Sequence, residues 1–476
     1  MMETYNRAYV FFLSVVAAIG GILYGYDTAV ISGTISLVTG QFALDAMHQG
    51  WYVGCALIGS IAGVLCAGWL SDKIGRKLTM LIAATLFSVS AIGCAVCSGF
   101  DSLVVYRIVG GVGIGIVSIV SPIYISEISP AKIRGTMVAL YQLAITLGFV
   151  LAYLANFLIL KSAGTVQYGG FWAKLMSDEM WRGMLGSESV VALLFLFIIL
   201  LIPESPRWLV TKGRLDKARA LFVRISGSGQ TAEAECAAAQ ATVSKDGDTS
   251  GWRQLLEPGL FKAVLIGSAI AILGQFMGVN AVLYYGPSIF ENAGLSSGDS
   301  MFSQVLVGMV NMLTTILAVF IIDKVGRKNL IYWGVSGMIV CLVCIAVYFA
   351  AGSALGLGNT FLLVFFLLYI FCCAISICAV VNVLLSEMYP NRVRGRAMSI
   401  AGFALWVGTY LIGQLTPWFL ENLTPAGTFL FFALMCVPYM LIMWKLVPET
   451  TGKTLEEIEE YWSRFGSRGD KAQSIK

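Results

Sequence analysis

Long apolar runs follow one another along nearly the whole chain, each close to the roughly 20 residues that carry a helix across a bilayer. Twelve can be placed, at about 8–34, 50–70, 78–98, 102–125, 136–160, 184–202, 260–290, 302–322, 330–350, 361–386, 397–420 and 427–447. These runs are too long for barrel strands, and in lipid each segment must satisfy its own backbone polar groups. The expected fold is therefore an all-α membrane protein of twelve transmembrane helices. Only 12% of the residues are charged, against about 25% in soluble domains, as a polytopic chain requires.

Charge then sets orientation. With the N-terminus inside, Lys161, Lys174 and Arg182 fall outside and Arg107 falls within a span, while every other Lys and Arg is cytoplasmic. The positive-inside rule and the even span count thus predict a multi-pass membrane protein with both termini cytoplasmic. The basic residues are spread over short loops and form no stripe, so no nucleic-acid partner is implied. The first run is full-length and lacks a small-residue cleavage site, so it reads as an uncleaved span. Eleven cysteines, including Cys94 with Cys97, Cys341 with Cys344, and Cys372 with Cys373, lie mostly in apolar runs, where Cys acts as a small packing residue. The sole histidine, His48, lies in a loop. No metal site, cofactor site or catalytic set is expected, and the sequence specifies no oligomeric state.

The chain repeats itself. SDKIGRK at 71–77 recurs as IDKVGRK at 322–328, SEISPAKIRG at 126–135 as SEMYPNRVRG at 386–395, and PES at 203–205 is echoed by PET at 448–450. Two six-helix halves are expected, 1–205 and 259–450, joined by a cytoplasmic linker with short helices at 206–258 and followed by a cytoplasmic tail at 451–476. Within the linker, 213–225 reads as helical, 231–243 as Ala-rich, and SKDGDTSG as a loop. Parallel halves of this kind place a substrate site near the midplane. Gly59 with Gly63, and Gly111 with Gly115, have the G-x-x-x-G spacing that lets helices approach closely.

Within the first span an acid stands out. Asp27 costs about 2.5 kcal/mol or more in a bilayer unless it has a partner or a purpose. Its expected partner is Arg107, since both sit roughly 8–10 Å below the outer surface at about 1.5 Å per residue. The pair reads as a proton switch, whose alternative is a permanent ion pair that fastens spans one and four. Glu188, at the outer start of span six, is a second proton-path candidate or an acid favoured by the helix N-terminus.

GYDTAVISG in span one, D-x-x-G-R-K in both halves, PESPRWL after span six, Q-F-x-G-V-N-x-x-x-Y-Y in span seven and PET-x-G-x-T-L-E-E after span twelve together resemble the sugar porters of the major facilitator superfamily, most of all the bacterial proton-linked xylose symporters. The resemblance covers nearly the whole chain. It implies that an aspartate at position 27 marks proton symport, and that Gln142, Gln275, Asn280 and Asn311 contact sugar. Such contacts suit a ligand that offers hydroxyls and no charge. Asn382 is a further amide, and Tyr24, Tyr284 and Trp406 are aromatic candidates. The alternative for each amide is an interhelical hydrogen bond of about 0.6 kcal/mol.

The match is incomplete. Gly274-Gln275 stands where the family usually has Gln-Gln, Asn382 replaces a tryptophan, Cys378-Ala379 a Gly-Pro pair, Leu405 a polar amide and Phe149 a glutamine. Glucose or xylose therefore does not carry over as the substrate.

The cytoplasmic loops carry both charge signs, as Asp72 with Arg76, Glu127 with Arg134, Asp323 with Arg327 and Glu387 with Arg394. They are expected to latch the halves on the cytoplasmic side, the alternative being orientation signals alone. Tyr284–Pro287 is expected to interrupt span seven as an outer gate, since proline removes a backbone donor. The expected function is proton-coupled symport of a monosaccharide or related polyol by alternating access, with sugar, proton and membrane lipid as partners. A passive facilitator is the nearest alternative. A sensor would typically add a longer signalling tail than the roughly 29 residues after span twelve.

Overall fold

The computed structural model describes residues 5–130, 132–243, 255, 257–389, 393–450, 457–458 and 461–462, apart from the side chains of 241–243, 258 and 323. The described residues are nearly all helical and include no strand. Six long helices come first: α1 (Arg7–Phe42), α2 (Ala46–Ile74), α3 (Arg76–Val96), α4 (Phe100–Ile128), α5 (Arg134–Ala163) and α6 (Met180–Ile198). Three short ones follow, α7 (Pro206–Thr211), α8 (Leu215–Ser226) and α9 (Gly229–Val243). The remainder comprises α10 (Pro258–Phe276), α11 (Val279–Asn292), α12 (Ser297–Val325), α13 (Arg327–Ala351), α14 (Asn359–Cys373), α15 (Ala379–Met388), α16 (Arg394–Asn422) and α17 (Thr424–Lys445). Taking α10 with α11 and α14 with α15, twelve segments are long and apolar enough to cross a membrane, as the sequence predicts.

By contacts the described residues form two units, one within 1–37 and 55–248, the other within 38–54 and 249–476. In the first, the two G-x-x-x-G pairs meet each other. A Cβ on Gly59 would lie 3.1 Å from Gly111 Cα, and one on Gly63 3.0 Å from Gly115 Cα, so α2 and α4 touch backbone to backbone. Lipid is as apolar as leucine, so this close packing, rather than a hydrophobic drive, fastens the helices. Gly25 and Gly148 bring α1 and α5 together in the same way, two residues from Asp27. Beneath them α7–α9 form a small bundle around Trp208, Leu209, Phe222 and Ala232. The loop expected at SKDGDTSG lies outside the described residues, as does the tail 451–476 apart from 457–458 and 461–462.

The repeated D-x-x-G-R-K stretches share a turn. Gly75 (φ 102°) and Gly326 (φ 91°) adopt backbone conformations that favour glycine, and Arg76 and Arg327 then begin α3 and α13.

In the second unit the seventh span breaks elsewhere than expected. α10 ends at Phe276 and Gly278 takes φ 92°, whereas α11 runs without interruption through Tyr284–Pro287. The reason lies in a neighbouring side chain. Pro287 offers no N–H to the carbonyl of Leu283, and Gln304 of α12 supplies the donor, its Nε2 reaching Leu283 O at 3.2 Å and Val282 O at 3.3 Å. Pro417 in α16 frees Gly413 O, which accepts from Tyr285 Oη at 2.6 Å. At the break itself, Met277 O accepts from Tyr369 Oη at 2.7 Å.

If Gln304 fills that gap, Gln304→Leu should lower stability by about 1–3 kcal/mol, the cost of a buried acceptor left unpaired. The check is the unfolding midpoint of detergent-purified protein. Gln304→Glu, protonated at this depth and able to donate, should melt closer to the wild type.

Candidate functional site

Asp27 and Arg107 meet. Arg107 Nη1 donates to Asp27 Oδ1 in a direct ion pair, with Asp27 fully buried and Arg107 3% exposed. Gly110, one turn beyond Arg107 on α4, leaves the room this needs, since a Cβ there would sit 3.1 Å from Asp27 Oδ2 and 2.5 Å from Ser90 Oγ. Asp27 Oδ2 itself has no hydrogen-bond partner among the described residues. Glu188 of α6 lies within electrostatic reach of both charges, is 2% exposed, and has its Oε1 likewise unpartnered. A bond that sequence reading missed fixes this arrangement. Tyr26 Oη and Ser187 Oγ, the residues just before Asp27 and Glu188, are 2.7 Å apart and tie α1 to α6. Two carboxyls thus share one guanidinium in a site closed to solvent, where uncompensated charge is costly.

The charged motifs expected on the cytoplasmic side form one network in each unit. Arg76 grips Glu127 through Nε at 3.1 Å and Nη2 at 3.0 Å, and reaches Asp72 at 3.0 Å. In the second unit Arg327 Nη2 donates to Glu387 at 2.9 Å. The expected pairing of Glu127 with Arg134 does not form. Arg134 donates instead to Ser129 O at 3.4 Å, and Arg394, in the repeat, to Tyr389 O at 3.3 Å. The side chain of Asp323 lies outside the described residues. Arg76 and Arg327 sit at the start of a helix, immediately after the glycine turn, and so face an acid at the end of α4 or α15, which Arg76 holds in addition to Asp72.

The PES and PET echoes, whose role sequence reading left open, complete these networks. Glu204 accepts from the backbone N–H of Arg76 at 2.8 Å and of Lys77 at 3.1 Å, while Ser205 Oγ donates to Glu127. Correspondingly, Glu449 accepts from Lys328 N at 3.2 Å and Thr450 Oγ1 donates to Glu387 at 2.6 Å. Burial pushes the Glu204 carboxyl above its ordinary range despite the N–H groups of Ser205, Lys77 and Arg76. The repetition in sequence was the signal that could have found these residues.

Of the candidate sugar residues, the structure brings Gln275 and Asn280 together across the Gly278 break. Asn280 Nδ2 donates to Gln275 Oε1 at 2.6 Å, and Thr409 Oγ1 of α16, which sequence reading missed, donates to the same oxygen at 3.2 Å. Asn311 on α12 is nearly buried and Asn382 on α15 is exposed, and neither side-chain amide bonds another described residue. Tyr284 and Trp406 are buried in the same unit. Tyr24 and Gln142, both half-buried, belong to the first unit, where Tyr24 lies within electrostatic reach of Tyr141.

Residues 13–462 match the family described as Sugar (and other) transporter. The arabinose-proton symporter of Bacillus subtilis is 35% identical over 97% of this chain and 96% of its own. The D-xylose-proton symporter of Escherichia coli is 36% identical over 97% of each. Among solved structures, the inward open conformation of the xylose transporter XylE from E. coli superposes with a TM-score of 0.82 at 33% identity, covering 95% of this chain and all of that one. The twelve membrane-crossing helices and this agreement along the whole length make the chain a multi-pass membrane protein belonging to the sugar transporter family.

Proposed function

We propose that the protein carries a monosaccharide or related polyol together with a proton across the cytoplasmic membrane by alternating access, with both termini on the cytoplasmic side. The observation that carries this reading is the buried cluster of Asp27, Arg107 and Glu188. One guanidinium neutralises one carboxylate, so two acids around it leave room for a single exchangeable proton. Movement of the arginine away from Asp27 favours loading, and its return favours release. A proton falling through 100 mV contributes about 2.3 kcal/mol, enough to accumulate sugar. The arabinose-proton and D-xylose-proton symporters named above support the coupling by their likeness.

Gln275, Asn280, Asn311, Asn382 and Gln142 are assigned to the sugar hydroxyls, and Tyr24, Tyr284 and Trp406 to its C–H faces. Thr409 joins them as the residue that orients Gln275. With its oxygen occupied by Asn280 and Thr409, Gln275 presents its NH2 to an acceptor, which a hydroxyl can be. The networks around Arg76 and Arg327 brace the cytoplasmic end of each six-helix half, so that each half moves as a body during the cycle.

Asp27→Asn should abolish uphill uptake yet leave exchange of internal for external sugar intact, and undiminished accumulation by this variant would refute the switch. Sugar-dependent alkalinisation of a weakly buffered cell suspension separates symport from passive facilitation. A thermal-shift screen of purified protein against pentoses, hexoses and polyols should find a ligand that stabilises by about 2.7 kcal/mol at one hundred times its Kd. Gln275→Ala should weaken that ligand at least tenfold, read as the Kd of the folded variant so that loss of the bonds from Asn280 and Thr409 is separated from loss of ligand contact.

A further inference from the structure

A π-helical turn, Ala374–Cys378, separates α14 from α15 in the tenth span. In a π turn the bond runs from i to i+5, so residues five apart come into line along the axis, whereas in an α-helix they diverge. Cys373 and Cys378 have this spacing, and their sulfurs lie 3.8 Å apart. The turn is held from outside the pair, since Ser376 Oγ donates to Cys372 O at 2.5 Å and Ser376 fills the space that Gly334 leaves on α13.

A pair this close needs its sulfurs to approach by only a few tenths of an ångström to share one centre at bond lengths of about 2.3 Å. The donor count narrows what it would hold. Among the described residues no third His, Cys, Asp or Glu joins to make a metal-binding group, and zinc in protein sites takes three or four protein ligands. Cys436 of α17 is nearby in the same unit, but its thiol donates to Phe432 O at 3.4 Å. A centre satisfied by two sulfurs and one carbon fits better. Cys373 is buried and Cys378 half-buried in an apolar span, so a ligand for the pair must be uncharged and soluble in lipid.

We propose that Cys373 and Cys378 form a dithiol site for trivalent organoarsenicals. With phenylarsine oxide, two S–As bonds form and the As–O bond breaks. The oxygen leaves as water with both thiol protons, and arsenic stays trivalent throughout. The bridge would hold the π register and with it the direction in which α15 presents Asn382, four residues on.

Two other thiol pairs are the internal rivals. Cys372 lies against Cys341 of α13, which joins two separate helices. Cys94 and Cys97 are three apart, and the Cys97 thiol is turned to Cys94 O at 3.4 Å.

The test is intact mass spectrometry of the purified full-length protein after phenylarsine oxide and a wash with excess 2-mercaptoethanol. Wild type should keep one phenylarsenic group per chain through the monothiol wash and release it to 2,3-dimercaptopropanol. Cys373→Ser, Cys378→Ser and Cys378→Ala should each retain at least tenfold less, while Cys341→Ser and Cys97→Ser retain as much as wild type. Misfolding exposes further thiols and raises retention, so it cannot imitate the expected loss. No resistant adduct on wild type, undiminished retention by both Cys378 variants, or loss in Cys341→Ser overturns the assignment.

Discussion

In hydrocarbon a backbone carbonyl or N–H without a partner costs several kcal/mol, and the architecture follows from that one constraint. Where the helices are regular the backbone satisfies itself. Where they are not, a side chain from a neighbouring helix supplies the missing group. Gln304 serves the carbonyls that Pro287 frees, Tyr285 serves the one freed by Pro417, and Tyr369 serves the carbonyl at the Gly278 break. Irregularities are thus bought with specific hydrogen bonds from adjacent spans. The same bonds decide which break in the seventh span is real.

The constraint applies more severely to charge. Asp27 and Arg107 are tolerable at their depth because each neutralises the other, Gly110 leaves room for the pair, and the Tyr26–Ser187 bond holds α6 with Glu188 against α1. Glu188 places a second acid within electrostatic reach of the same guanidinium. Around the D-x-x-G-R-K turns the balance differs. There Arg76 and Arg327, each 12% exposed, meet Glu127 and Glu387, 13% and 26% exposed, so each charge is mostly sheltered and depends on its partner. What distinguishes these sites is the joining of three chain segments around each arginine, with Glu204 and Glu449 receiving the N–H groups at the start of the following helix.

Much of this was legible in the residues. Runs of apolar length gave twelve helices, the repeats gave paired networks, and the depths of Asp27 and Arg107 in their spans gave the pair. The small-residue spacings at Gly59, Gly63, Gly111 and Gly115 also proved to be mutual contacts. Other features were hidden for identifiable reasons. Proline in span seven suggested a break because its missing donor is visible in sequence, whereas the donor that replaces it sits 17 residues away on another helix. Glu127 looked like a partner of Arg134 because they are close in sequence, but Arg76 and Ser205 hold Glu127 while Arg134 donates to Ser129 O. Thr409 gave no sign of its role, since a threonine in a span ordinarily bonds back to its own helix, as this one also does to Leu405 O.

Alone, then, the sequence determined the number of helices, their order, the internal duplication and which spans carry charge, because hydrophobic length and the energy of burying ions are properties of composition along the chain. Which carbonyl Gln304 reaches and which acid Arg76 selects were decided by tertiary structure. Those outcomes depend on the rotation and offset of one helix against another, and packing between helices fixes both.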